Sequence, residues 1–427
     1  MTKADIIDLI HQVLADKMAV PYISAFSPYA RLNEDLYLDS VMVLQLLLHL
    51  ELDHGFVIPD DALAKEDFET VDTLANLLAR LDNTADTIEP PVEFDDIKVH
   101  CFVSCLCEII KESPIVDHRP FYFGVWDADV VITDDCRISY HSATINHQFF
   151  VHWYQQLYGV CVHGWYDRAL SKEANVRRLL SLLDNRPPER SVMVMLDMYL
   201  LPERENKFNA NPFPHYVMLE KTDDPETWLM LDPDYRWEGS LPRNRILEAV
   251  RSPHAAGGYY FDSSEIRASS PEAIKEYFDA CMKLDTNPMT TAVRRIIRHH
   301  LEGYRGLQLA QLSEALKELP VLSIRKYAYE HGFAFFWRNL KLDDVEFECW
   351  CDVIGKLVET YKIIQYRAMK LALTGDEALA EEIFQLLDEQ DQREFTIKQH
   401  LYALHKTWCA TWERSSVGNV TLPPVEA

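Results

Sequence analysis

The hydrophobic periodicity of this chain changes twice along its length, and these changes constrain its fold more than any other feature. Residues 1–82 carry apolar side chains at spacings of three and four, which predicts helices. Between residues 97 and 268, short alternating apolar runs predict strands mixed with helices. From 269 to 414 the pattern is helical again. The sequence therefore predicts an α+β multidomain protein.

Two segments lack any hydrophobic periodicity. One lies between the first two of these parts, and the other follows the last part. Residues 83–96, NTADTIEPPVEFDD, are acidic and contain a Pro-Pro pair, which is typical of a linker. Residues 415–427 are predicted to be a disordered tail. The expected organisation is a helical domain at 1–82, this linker, an α+β domain at 97–268, and a helical domain at 269–414 before the tail.

Individual elements of the middle domain follow from the same patterns. Helices are predicted over 101–112, 147–157 and 171–184. The candidate strands are FYFGVW, DADVVIT, CRISYH, VCVHGW, SVMVMLDMYL, HYVMLEK and WLMLDPDY.

Composition limits the cellular setting and the classes of ligand. No apolar run is long enough to span a bilayer, and the N-terminus lacks the apolar block of a signal peptide, so we expect a cytoplasmic protein without a membrane partner. The nine cysteines form no regular framework, which fits reduced thiols. A net charge of −26 argues against a nucleic-acid partner and favours a cationic small molecule.

An Asp-Ser pair, Asp39-Ser40, lies directly before an apolar helical run in LYLDSVMVLQLLLHLELDHGFVIPDD. Either residue suits a helix start, because its side-chain oxygen can accept a hydrogen bond from a free backbone N–H. A plain helix cap is therefore one interpretation of Ser40. The order of elements around it offers another: a helix, a long loop, Asp-Ser, a helix, an Ile-Pro-acidic segment and a further helix.

This layout resembles an acyl carrier protein over the whole of residues 1–82. The resemblance implies a four-helix bundle whose serine, Ser40, carries covalent 4'-phosphopantetheine. It also implies two partners, a phosphopantetheinyl transferase and an acyl-activating adenylating enzyme. Tyr37 and Val41 depart from the glycine and leucine that are common in the motif. The region holds 5 Lys and Arg against 15 Asp and Glu, and carrier domains are usually acidic.

A cysteine near a predicted helix start is the first candidate for chemistry. In VHCFVSCLCEII, Cys101 falls in the first turn of the helix, where the helix dipole favours a thiolate. Cys105 and Cys107 lie further along and are expected in the core or wall. A structural role is the usual one for a lone cysteine, so a base and an orienting group are needed to favour catalysis.

The segments HYVMLEK and WLMLDPDY alternate like two strands around a turn-rich TDDPET. Folding this hairpin about residues 223–224 places His215 opposite Asp232. A carboxylate beside an imidazole holds the base in one tautomer. With Cys101, the order cysteine, histidine, aspartate predicts a catalytic triad, although a plain surface pair remains the alternative for His215 and Asp232.

Residues 97–265 resemble papain-like acyltransferases of the butirosin-biosynthesis type, which move an acyl group from a carrier thioester to an amine. The matching motif begins the nucleophile helix with His100, Cys101, Ser104 and Leu106. This match favours Cys101 over Cys105, and the family's His and Asp-Pro correspond to His215 and Asp232. The family implies a papain-like α+β domain, with residues 269–414 as a substrate-shaping region.

The whole chain resembles a fusion of two kinds of petrobactin-siderophore biosynthesis protein, an aryl carrier protein and the transferase that joins 3,4-dihydroxybenzoate to spermidine. The resemblance implies transfer of that acyl group from the chain's own carrier domain to a polyamine such as spermidine. Thioester hydrolysis, peptide cleavage and a non-catalytic carrier scaffold are the alternatives. The sequence leaves open the acyl group, the amine, and whether a carrier serves its own chain or the other chain of a homodimer.

Three further clusters are interpreted as structural. His141 and His147 show no third metal ligand at a suitable spacing, so no metal site is predicted. The basic run RRIIRHH at 294–300 is interpreted as a solvated face, with carrier docking as the alternative. Two cysteines in ECWCD at 348–352 have no partner pair, which argues against zinc.

Overall fold

The protein is α+β and multidomain, and the strands in the part of the chain that the structure describes all lie in its middle part. The structure is a computed structural model. It describes residues 2–38, 40–56, 58, 68–82, 100–111, 113–140, 145–204 and 212–418. The predicted linker at 83–96 therefore lies outside the described residues. Within those ranges, no helix combines the length and the apolar character needed to cross a bilayer.

The N-terminal part is helical, as predicted. Its described helices are α1 (Lys3–Gln12), α2 (Ser40–His54) and α3 (Val71–Asp82). Residues 59–67 lie outside the described residues, so a bundle of four helices remains a prediction.

Local signals explain where these helices begin and how they pack. Thr2 caps α1 by accepting a hydrogen bond from the backbone N–H of Asp5, whose carboxylate accepts from the Thr2 N–H in return. In α2, the predicted apolar stripe is buried at Leu44, Leu47 and Leu48. This stripe meets apolar residues of α1 and α3 in one core.

The middle part is built around one antiparallel sheet. Its helices are α4 (Cys101–Lys111), α5 (Gln148–Tyr158), α6 (Lys172–Asp184) and α7 (Arg243–Arg251). The strands are β1 (Val131–Ile132), β2 (Ile138–Ser139), β3 (His163–Gly164), β4 (Arg190–Asp197), β5 (Pro214–Lys221), β6 (Thr227–Asp232), β7 (Trp237–Pro242) and β8 (Gly258–Asp262). The order in the main sheet is β3-β8-β4-β5-β6-β7, and β1 pairs with β2 separately.

The predicted hairpin of β5 and β6 is present, but its predicted register is wrong. Met218 pairs with Leu231 and Lys221 with Trp228, so the residue opposite each position is two further along than the sequence suggested. The longer turn at 222–226 accounts for the shift. Because side chains two residues apart share one face of a strand, His215 and Asp232 still point to the same side of the sheet.

The strand prediction for FYFGVW is also wrong. Residues Arg119–Gly124 form a 3₁₀-helical segment with a proline in its first turn. Phe121, Tyr122 and Phe123 are all buried. Three consecutive buried aromatics do not alternate between a core face and a solvent face, so this run lacks the period of two that a half-buried strand requires.

The C-terminal part is entirely helical in its described residues, as predicted. Its helices are α8 (Pro271–Cys281), α9 (Pro288–Leu301), α10 (Leu312–Ala315), α11 (Leu319–Ser323), α12 (Ala328–Leu340), α13 (Asp344–Thr374) and α14 (Glu377–Gly418). The last helix continues past the predicted end at residue 414, and residues 419–427 lie outside the described residues. These helices share one continuous apolar core with α4 and α5 of the middle part.

A buried ionic network joins the middle and C-terminal parts. Asp127 of the middle part accepts a hydrogen bond from Lys326 at 2.9 Å and forms an ion pair with Lys398 at 2.6 Å. Lys326 also contacts Glu394 at 2.5 Å, and all four side chains are at most 2% exposed. Two positive and two negative charges therefore offset one another inside the protein.

The N-terminal part contacts the helical part through α2 and α13. The carboxylate of Glu51 accepts hydrogen bonds from the Tyr366 hydroxyl at 2.6 Å and from Lys370 Nζ at 2.5 Å. Tyr366 and Met369 also complete the apolar core of the N-terminal part. The face of α13 that carries these three residues is the docking surface of the N-terminal part.

Candidate active site

The nucleophile predicted from sequence, Cys101, is the first residue of α4 and is buried. Backbone N–H groups in the first turn of a helix lack intrahelical partners, and the helix dipole favours negative charge there. The hydroxyl of Tyr140, directly after β2, lies 3.7 Å from Cys101 Sγ. Cys101 Sγ is therefore placed at the positive end of a helix and within reach of a hydroxyl donor.

A half-buried aspartate, Asp234, fixes the start of α4. Oδ1 of Asp234 accepts a hydrogen bond from the backbone N–H of His100 at 3.2 Å and from the Ser104 hydroxyl at 2.8 Å. Asp234 lies in the turn between β6 and β7. This carboxylate thus holds Cys101 against the strand end that carries Asp232. The hydrogen bond from Ser104 explains why the predicted motif has a serine at this position.

The predicted histidine and aspartate form a direct contact. Nε2 of His215 lies 2.8 Å from Oδ1 of Asp232, and both side chains are at most 3% exposed. The other carboxylate oxygen of Asp232 accepts a hydrogen bond from Arg204 Nη2 at 2.8 Å. Both oxygens are occupied, so the orientation of the carboxylate is fixed and the imidazole is held by it. The surface-contact alternative does not fit this burial.

The electrostatics favour a protonated imidazole beside the thiol. Burial lowers the pKa of His215, but the Asp232 carboxylate and the Cys101 sulfur outweigh burial and raise this pKa well above its ordinary value. Burial raises the pKa of Asp232, yet His215 and Arg204 together hold it below its usual range. An imidazole held between a carboxylate and a cysteine sulfur is an arrangement that can activate the sulfur as a nucleophile.

The second cysteine of the motif has a different environment. Cys105 is fully buried, and its thiol donates to the backbone carbonyl of Tyr216 at 3.6 Å. Burial, reinforced by nearby negative charges, raises the pKa of Cys105 well above its ordinary value. Cys105 thus stays a neutral thiol in the core, whereas Cys101 lies beside the imidazole.

Ser40, predicted to bear the prosthetic group, is the first residue of α2. Tyr37, which replaces the common glycine, adopts φ of +54°, in the left-handed region that glycine enters most easily. The turn before Ser40 therefore has the backbone form that the motif's glycine would provide. The ring of Tyr37 packs on the ring of Tyr22, and their centroids are 4.4 Å apart. This contact offsets part of the free-energy cost of the left-handed backbone conformation of Tyr37.

The structure also places residues that the sequence did not single out. Arg204 donates to Asp232, Asp234 accepts from groups at the start of α4, and the ring of Tyr140 lies under the guanidinium of Arg325 from the helical part. Asp234 had a local signal, since it follows Asp232 in DPDY. His147 stacks on Phe102 with centroids 4.1 Å apart, which fits the predicted structural role, and His141 lies outside the described residues.

Two family models match successive parts of the chain. Residues 96–266 match the DUF6005 N-terminal domain and residues 272–421 the DUF6005 C-terminal domain. The chain is 45% identical to petrobactin synthase of Bacillus anthracis over 312 residues, which cover 73% of this chain and 95% of that protein. It is 34% identical to acyl carrier protein AsbD of the same organism over 70 residues, 16% of this chain and 77% of that protein.

The fold and these comparisons define a class: a carrier-like helical region joined to an α+β and helical body. The chain belongs to the DUF6005 family, to which most of its length is matched. The resemblance to a fusion of petrobactin-biosynthesis proteins that the sequence indicated is thereby confirmed.

Proposed function

We propose that this protein is a carrier-dependent N-acyltransferase of siderophore biosynthesis with a papain-like Cys101–His215–Asp232 triad. It transfers an acyl group, 3,4-dihydroxybenzoyl, from a thioester on its own carrier domain to an amine such as spermidine. The observation that carries the proposal is the buried His215–Asp232 pair at the sulfur of the helix-start cysteine. Similarity to both a petrobactin synthase and an acyl carrier protein in one chain supports the substrate class.

The carrier region supplies the donor. Ser40 would hold 4'-phosphopantetheine, and its position at the first residue of a helix, after a turn of glycine-like backbone, fits that role. The group supplies a thiol on which the acyl chain is carried as a thioester. A phosphopantetheinyl transferase and an acyl-activating adenylating enzyme are the partners that this donor requires.

The chain's own residues perform the two substitutions. The Cys101 thiolate attacks the thioester carbonyl, its sulfur–carbon bond forms, and the donor thiol leaves with the proton of the His215 imidazolium. An amine then attacks the acyl group on Cys101, the carbon–sulfur bond breaks, and the amine proton passes to His215. Asp232 holds the imidazole throughout, and backbone N–H groups at the start of α4 stabilise the oxyanion of each tetrahedral intermediate.

The acceptor must be an amine that the site receives in preference to water. Polyamines are cationic, and the chain's net charge of −26 favours their approach. Among the other activities considered, peptide cleavage gives no role to Ser40. Thioester hydrolysis uses the same triad, so it must be separated from amide formation by the product.

Mass spectrometry of the product tests the proposal. The intact chain is loaded at Ser40 with a 3,4-dihydroxybenzoyl thioester and mixed with spermidine, with Cys101→Ala and the matched control Cys105→Ala run alongside. We expect arylated spermidine from the wild-type and Cys105→Ala chains and none from Cys101→Ala. A free acid as the sole product would establish hydrolysis instead. Full activity of Cys101→Ala would refute the triad and favour a scaffold.

A further inference from the structure

Tyr140 places a hydroxyl at the sulfur of Cys101 that the triad does not account for. The distance from its oxygen to Cys101 Sγ is 3.7 Å, within range of a hydrogen bond to sulfur. A phenol O–H is a donor, and the sulfur of Cys101 can accept a hydrogen bond from it. The residue follows β2, far in sequence from the hairpin that carries His215 and Asp232.

Two charged residues of the helical part hold Tyr140 in this place. The carboxylate of Glu318, just before α11, accepts a hydrogen bond from the Tyr140 backbone N–H at 2.5 Å. The guanidinium carbon of Arg325 lies 4.7 Å from the centre of the Tyr140 ring. Arg325 is only 3% exposed, and its Nη1 donates to the backbone carbonyl of Asp129 at 3.0 Å. Backbone and ring are therefore both fixed.

The hydroxyl keeps its proton in this environment. Burial and the neighbouring Cys101 sulfur raise the pKa of Tyr140 well above its ordinary value. The group is thus available as a neutral donor across the range in which an enzyme works, rather than as a base.

We propose that Tyr140 is a catalytic residue of the acyl transfer and that Arg325 is its positioning residue. This inference rests on the proposed function. The Tyr140 O–H donates to the Cys101 thiolate in the resting enzyme. When the sulfur bonds to the carbonyl carbon it stops being a strong acceptor, and the same O–H donates to the new oxyanion next to it. No proton leaves Tyr140 in either step.

The geometry gives the helical part a chemical role. The backbone donors of α4 lie on the middle part, whereas the side-chain donor is held from Arg325 and Glu318 on the helical part. A tetrahedral oxyanion is bound best by two donors converging on it. The active site is therefore complete only when the helical part is folded onto the middle part.

The test uses the intact, Ser40-loaded chain and two readouts. Tyr140→Phe removes only the hydroxyl, and Tyr154→Phe is the matched control, because its buried hydroxyl donates to the carbonyl of Leu106 in the same helix at 3.0 Å. We expect Tyr140→Phe to slow acylation of Cys101 by about 100-fold, the usual loss for one oxyanion donor. Alkylation of Cys101 by iodoacetamide, followed by peptide mass spectrometry, should slow about three- to tenfold.

The control variant should change neither rate by more than about twofold. Unchanged acylation and alkylation in Tyr140→Phe would overturn the inference, as would equal losses in Tyr154→Phe. If the wild-type chain fails to acylate Cys101, the proposed function fails, while the alkylation rates still decide whether Tyr140 supports the thiolate.

A double-mutant cycle tests the role of Arg325. If Arg325 acts through Tyr140, Arg325→Met slows acylation in the wild-type background but adds less than about twofold in the Tyr140→Phe background. Equal losses in both backgrounds would show that Arg325 acts independently, and its role as positioning residue would be refuted.

Discussion

Removing the Asp234 carboxylate should release the start of the nucleophile helix, and two substitutions separate the causes. Asp234→Ala leaves the His100 N–H and the Ser104 hydroxyl buried without their acceptor. An unsatisfied buried polar group costs about 1–3 kcal/mol, so we expect a loss of about 2–4 kcal/mol in the free energy of unfolding. Asp234→Asn keeps an accepting oxygen and should stay within about 1 kcal/mol of the wild type.

The charge of Asp234 makes the stability difference between the wild type and the asparagine variant depend on pH. Burial raises its pKa above the ordinary value. A carboxyl whose folded pKa is raised stabilises the fold fully below its unfolded pKa, and this stability is lost as the pH rises through the folded pKa. At neutral pH the asparagine variant avoids this loss, so its stability relative to the wild type should improve as the pH rises from 4 to 7.

The assay combines urea unfolding with the rate of Cys101 acylation. A displacement of about 1 Å at a reacting atom costs about 100-fold in rate, and we expect a loss of that order for Asp234→Ala and a much smaller one for Asp234→Asn. If the asparagine variant loses as much stability as the alanine variant, the charge rather than the hydrogen bonds holds the helix, and the reasoning is wrong.

Three further perturbations test other contacts. Lys370→Glu should place like charges at the docking surface and slow transfer from the tethered carrier about tenfold in single-turnover kinetics. Adding Glu51→Lys to the same chain restores opposite charges and should recover most of the rate. Lys398→Met should lower the free energy of unfolding, measured with urea, by about 3–5 kcal/mol. The reason is that it leaves one positive charge against two negative charges in the buried network around Asp127. Burial lowers the pKa of His331 to about 3, so this residue alone costs the fold about 2 kcal/mol of stability as the pH falls from above 6.5 to 5. His118, His147 and His405, whose pKa values burial lowers to about 4, add to the same slope, so His331→Gln should reduce the slope of pH-dependent unfolding by about its own 2 kcal/mol share and leave the rest.

Control variants and contradicting outcomes can be stated for the substitutions in α13 and in the buried network. Arg367 pairs with Glu382 within the helical part, so Arg367→Glu changes the charge of α13 equally while the Lys370–Glu51 contact is kept, and it should leave transfer unchanged. An equal loss in this variant would mean that the net charge of α13, rather than the contact to Glu51, sets the rate. Wild-type stability of Lys398→Met would show that the buried network contributes no net stabilisation.

The sequence predicted the His215–Asp232 contact because the evidence for this pair is local. A hairpin brings His215 and Asp232 to one face through side-chain alternation, and this outcome survives a register shift of two residues. A shift of one would have separated them. Cys101 was recognised from its place at a helix start and from a motif, both of which can be read within a few residues.

The groups that orient Asp232 and Tyr140 could not be predicted from local sequence. Arg204 reaches Asp232 from a segment 28 residues away, and Arg325 meets Tyr140 across 185 positions of sequence. No periodicity links such positions, because their contact depends on how the sheet and the helical part pack together. The strand prediction for residues 121–126 was wrong for the same reason. The tertiary core sets the burial of this run, whereas the alternation of a strand does not.

The buried network of Asp127, Lys326, Glu394 and Lys398 has a consequence for exchanging parts between relatives. The positive charges lie on the helical part, and one of the two negative charges lies on the middle part. A chimera that joins the middle part of one family member to the helical part of another will keep a balanced interior only if both donors carry the same charge pattern. Module boundaries drawn from sequence matches thus cut through an electrostatic unit, and recombination at that point should succeed only when the four positions are inherited together.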